Sequence, residues 1–167
     1  MKFQSTLKKI NWRLLMVHFI AICFFIRGFR ILGYLQNTPL LDKLINDNDN
    51  LDAILKNQSA TDLVNFLLYP GILGTIGMLV AFFISLYISK KKGWSPLNSI
   101  IVILLAYILG WISNLNWLLF KGNTIIPSSL FPNITYYLIV NACILIILGN
   151  LIFFNKYALT FISKNKT

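Results

Sequence analysis

The chain contains no glutamate, and its five acidic residues, Asp42, Asp47, Asp49, Asp52 and Asp62, all fall between positions 42 and 62. Its long apolar segments therefore carry no carboxylate. That removes the paired acids of general acid/base catalysis and the intramembrane acid on which proton-coupled carriers usually depend. Histidine occurs once, at His18, and the two cysteines, Cys23 and Cys143, both sit inside apolar runs. No Cys/His cluster has metal-site spacing, and a structural disulfide is not expected from cysteines so placed. A nucleophile elbow and a glycine-rich phosphate loop are also missing. The expectation is a non-enzyme with no catalytic residue, no metal and no cofactor.

Charge of either sign is scarce. Only 12% of the 167 residues are charged, while 57% are hydrophobic. A soluble domain carries about 25% charged residues, so this chain cannot cover a surface facing water. The formal net charge of +10 would suggest nucleic acid if the cations lined one face. Instead they flank the apolar runs: Lys2, Lys8, Lys9 and Arg13; Lys90, Lys91 and Lys92; Lys156, Lys164 and Lys166. The implied partner is a lipid bilayer and its anionic head groups, with no nucleic acid. The N-terminal apolar stretch from Leu14 to Ile26 has no small-x-small cleavage pattern. It ends in Arg27-Gly28-Phe29-Arg30 and reads as a retained span.

What is present is span-length hydrophobicity. Four segments approach the roughly 20 residues needed to cross a hydrocarbon core: about 13–35, 63–89, 97–120 and 134–155. The reading is one all-α domain, 1–167, a bundle of four transmembrane helices. Basic flanks on one side and the acidic segment 36–62 on the other put both termini in the cytoplasm of an inner (plasma) membrane, multi-pass. Trp12, Tyr87, Trp94 and Tyr157 fall near the inner interface, and Tyr34, Tyr69, Trp117, Tyr136 and Tyr137 near the outer one, as amphipathic rings prefer. Within the outer loop, 39–45 and 51–56 have helical apolar spacing around the turn signal Asn46-Asp47-Asn48-Asp49-Asn50. Two short amphipathic helices on the outer face are expected there. Ser59-Ala60-Thr61-Asp62 resembles a capping box opening the second span. The stretch Asp47–Asp52 is only faintly like a calcium loop, with Leu51 at a ligand position and Asp52 where the turn glycine belongs.

Several residues stand out against this background. Arg27 lies about 22 Å along the first helix from Trp12. It shares a face with Cys23, Arg30 and Tyr34, and Asp62 is the acid adjoining a span. An Arg27/Arg30–Asp62 ion pair is the sharp reading, and snorkelling to head groups the plain one. His18 faces away from that stripe and reads as a hydrogen-bonded core group before it reads as a proton relay. Gly77, Ala81, Ser85 and Ser89 form a ridge of small residues that lets helices approach closely in lipid, with Ala106, Gly110, Ser113 and Asn114 as a matching strip. Pro70-Gly71 suggests a kink or helix start. Asn114, Asn116, Asn141 and Asn150 are intramembrane amides suited to bonding across helices, or to lining a polar pathway.

The two halves of the chain do not mirror each other, which argues against an inverted-repeat transporter. The layout, four spans with a longer outer segment after the first, resembles that of DoxX-type small membrane proteins, and the resemblance brings no site residue with it. The functional expectation is a non-enzymatic component that packs with itself, as a homo-oligomer, or with a membrane protein partner. An oligomeric conduit for an ion or small solute is the alternative. A membrane enzyme or quinone-linked subunit ranks third.

Overall fold

A computed structural model describes residues 10–46, 56, 58–111 and 126–163. It is 88% helical with no strand among the described residues, so the all-α expectation holds. Helix α1 runs Trp12–Gly33 and continues through a 3-10 turn, Tyr34–Asn37, into α2, Thr38–Asn46. Helix α3 is Ala60–Lys91, α4 is Leu97–Trp111, α5 is Ile134–Phe154 and α6 is Lys156–Ser163, with a further 3-10 turn at Ser128–Leu130.

Local chemistry sets most of these ends. Asn11 caps α1, its side-chain oxygen accepting from the N–H groups of Arg13 and Leu14 at 3.1 and 3.2 Å. Asn133 does the same for α5, and Asn155 for α6. Ser59 opens α3, as the capping-box reading anticipates. Each cap satisfies orphan donors and is worth about 1 kcal/mol. The far end of α3 closes on Gly93, whose φ of 64° is left-handed. Trp94 N–H donates to Ser89 O and Gly93 N–H to Lys90 O, the Schellman pattern that glycine favours at this position.

Three helical runs are long and apolar enough to cross a membrane: Trp12–Lys43, Ala60–Lys91 and Ile134–Phe154. At 32 residues, α3 extends about 48 Å, so it can cross the core with both ends in the interface. The expected third span, 97–120, begins where α4 begins, but residues 112–125 lie outside the described residues. The apolar helix seen there, Leu97–Ile108, is too short by itself to cross. Of the two short helices expected after the first span, α2 covers the segment 39–45, and 51–55 lies outside the described residues. Helix α6 had no counterpart in the sequence reading, which ended its last span at 155.

The core is built around α1, which packs chiefly against α3 on one side and α5 on another. Leu14, Ala21, Ile22, Phe25 and Ile26 of α1 join Ala81, Ile88, Val102, Ala106 and Phe153 in one buried cluster. Ile31 joins Tyr137, Leu138, Ala142 and Leu145 in a second. The rows of large apolar side chains left outward, such as Leu67, Ile76 and Phe83 on α3, suit lipid rather than water.

Candidate functional site

The strongest concentration of polar chemistry inside the described bundle is a seam joining α1, α3 and α4. His18, Ser85, Ser89 and Ser99 all lie fully buried. His18 Nδ1 meets Ser85 Oγ at 2.7 Å, Ser85 Oγ donates to Ser99 Oγ at 2.8 Å, and Ser89 and Ser99 share a bond of 3.1 Å. A hydroxyl has one proton to give. With that of Ser85 directed at Ser99, the contact with His18 places the imidazole proton on Nδ1. Nε2 then carries the lone pair, buried without a hydrogen-bond partner. The ring meets Phe153 edge-on, centroids 5.1 Å apart.

The helical period explains how the seam assembles. Ser85 and Ser89 are one turn apart on α3 and so present two hydroxyls to the same neighbour. Ser99 lies in the first turn of α4, brought back against α3 by the tight Gly93 turn. The sequence reading placed Ser85 and Ser89 in a packing ridge and His18 in the core, and left out Ser99. The one available signal for Ser99 was its position just beyond a short inter-span connection, which forces the two helix ends together.

The rest of the small-residue ridge faces α1. A Cβ on Gly77 would lie 2.7 Å from Phe29 Cβ and 2.8 Å from Phe25 O, so the two backbones approach as closely as glycine allows. Ala81 is fully buried in the same groove. Nearer the C-terminal end of α1, Gly33 lies against Pro70, where a Cβ would come within 2.5 Å of Pro70 Cα. Pro70 sits inside a continuous α3. Ala106 is buried in α4, whereas the surroundings of Gly110, and Ser113, Asn114 and Asn116, lie outside the described residues.

The charged candidates are placed apart from the seam. Arg27 and Arg30 are half-buried on α1, and Gly74 of α3 lies beside the Arg30 stem. Asp62 belongs to the α3 cap. Its N–H donates to Ser59 Oγ at 3.1 Å, and its carboxylate accepts from the same hydroxyl at 2.6 Å. Its carbonyl accepts from Asn37 Nδ2 at 3.0 Å, tying the 3-10 turn to the start of α3. Of the amides, Asn141 is fully buried and bonds the backbone N–H of Ile126 at 3.1 Å and its own helix at Tyr137 O. Asn150 bonds Ile146 O one turn back.

A second polar cluster, which the sequence reading did not identify, gathers beyond the seam, at the N-terminal end of α1. Asn11 N–H donates to Asn98 Oδ1 at 2.9 Å, and Asn11 Nδ2 donates to Ile162 O at 3.1 Å. Arg13 Nη1 donates to Phe161 O at 3.3 Å, with its guanidinium 4.9 Å from the Phe161 ring centroid. One asparagine thus caps the start of α1 with its oxygen and the end of α6 with its nitrogen.

Among the described residues no group of three or more His, Cys, Asp or Glu could hold a metal. No family model, curated protein or solved structure matches the chain, so the expected likeness to DoxX-type proteins has no match behind it.

Proposed function

We propose that this is a multi-pass inner-membrane protein whose role is non-enzymatic association, with further copies of itself or with a membrane partner. Both termini and the α3–α4 turn face the cytoplasm, and α2 lies on the outer face. The observation that carries the reading is how the intramembrane polar groups are used. His18, Ser85, Ser89 and Ser99 bond to one another across three helices, Asn141 and Asn150 bond to backbone within the chain, and the faces left outward are apolar. A seam of this kind holds helices in register. As a catalytic arrangement it is poorly disposed: Ser85 gives its proton to Ser99 rather than to the imidazole, and a fully buried hydroxyl has no approach for substrate.

The test is purification of the full chain in mild detergent, with mass measurement of the particle and identification of what copurifies, followed by reconstitution. A defined oligomer or a stoichiometric partner, with no solute flux in liposomes, is the expected result. A monomer without partner that conducts an ion, and loses conduction on Asn141→Leu or His18→Leu, would replace this reading with the conduit.

A further inference from the structure

The end of the bundle that gathers Asn11, Asn98 and Ile162 is strongly basic. Arg13, Lys90, Lys91, Lys92 and Lys156 are all there, the four lysines exposed. The described acids, Asp42 and Asp62, are at the other end of the long helices. Helix α6 lies across this basic end. Ile162 is fully buried on its inner side, while Tyr157 is 84% and Phe161 47% exposed on its outer side. Around the same end Trp12 is 68% exposed, and Lys91 reaches over the ring of Tyr87 at 5.9 Å. Exposed rings beside cations that no described acid neutralises are poorly placed in water. They are well placed at a membrane surface, where rings settle at head-group depth and cations meet phosphate.

We propose that this end is a docking surface for anionic phospholipid head groups. Lys90, Lys91, Lys92 and Lys156 contact the phosphates, and α6 lies in the interface plane with Tyr157 and Phe161 toward the acyl boundary. The proposal rests on the membrane reading above and deepens it by placing the head groups on one surface and coupling them to α6. Charge decides the class. A zwitterionic head group brings its own cation and gains little from a lysine cluster, whereas a net-negative one gains from each lysine near the surface. Head groups held there brace α6 against α1, so occupancy stabilises the whole bundle.

The experiment uses the full chain in nanodiscs of phosphatidylcholine alone and of phosphatidylcholine mixed with phosphatidylglycerol. Integration is established first, by resistance to alkaline extraction from vesicles. A chain that washes out fails the membrane reading itself. For the integrated protein, the unfolding temperature at low salt is expected to be higher in the anionic discs by roughly 5 °C. That gap should close at roughly 0.5 M salt, where charges are screened within a few ångströms. Joint replacement of Lys90→Gln, Lys91→Gln, Lys92→Gln and Lys156→Gln should abolish it, and Lys43→Gln at the other end should leave it intact. Equal unfolding temperatures in the two lipids would overturn the proposal, and so would a salt-independent gap in the unsubstituted protein. An equal rise produced by inorganic phosphate in detergent would overturn it too, assigning the site to a free anion.

Discussion

The contact between α1 and α3 is made in two different ways along its length. Toward the C-terminal end of α1 it is a contact of backbones: Gly33 against Pro70, and Gly77 against Phe25 and Phe29. Toward the basic end the same ridge carries hydroxyls, and the contact becomes a hydrogen bond between His18 and Ser85, extended to α4 through Ser99. In lipid, burying apolar surface between helices gains little, because the tails are as apolar as leucine. Close approach and interhelical hydrogen bonds remain, and this pair of helices uses one at each end. The close-packed half tolerates no added volume. The bonded half tolerates no lost partner.

Gly77→Leu should break the comparison most sharply. A side chain there meets Phe25 O, which is backbone and cannot rotate away, so overpacking should cost about 3 kcal/mol or more. Thermal unfolding in detergent reads this as a large drop in transition temperature, and Ala81→Leu should follow it. Wild-type behaviour from both would place the ridge in lipid.

Ser85→Ala removes a partner without adding bulk. It leaves His18 Nδ1–H unsatisfied in the core, and a loss of about 1–2 kcal/mol is expected. A double-mutant cycle with His18→Leu should show coupling, because the paired change removes both ends of the bond. Strict additivity would mean that the 2.7 Å contact contributes nothing to stability.

Asn11→Ala removes two caps at the basic end and should cost about 1 kcal/mol or slightly more. Ser59→Ala at the start of α3 removes one and should cost about 0.5–1 kcal/mol. Asn11→Asp is informative beside them. The carboxylate keeps the α1 cap but loses the donor to Ile162 O, so it should fall between wild type and alanine. An aspartate variant as unstable as alanine would shift the whole effect to the α6 side.

The difference between the two halves also separates what the sequence disclosed from what it concealed. Gly77, Ala81, Ser85 and Ser89 recur every fourth position, so the ridge was visible as a ridge. Its partner face was not, because Phe25 and Phe29 look like any lipid-facing aromatics until a glycine is found opposite them. Asp62 shows the reverse. Its place beside a span suggested an arginine on α1, and its place three residues after Ser59 suggested the cap that is seen, a contact that needs no other helix to be in place. Helix α6 was missed because its eight residues, Lys156–Ser163, carry too short a pattern to stand out. It forms where Asn155 restarts the chain and where α1 offers Asn11 and Arg13 to receive its end. Lengths and flanking charges, which depend on composition alone, were read from the sequence directly for the runs that α1, α3 and α5 now occupy.

The double use of Asn11 has a consequence for the order of events during synthesis. Its oxygen can cap α1 as soon as the first turn emerges, but its nitrogen must wait for Ile162, 151 positions later. The bond joins nearly the first described residue to nearly the last, so it can close only once α6 has formed, and until then the basic end is open. The Asn11–Ile162 bond is in that sense a mark of completion.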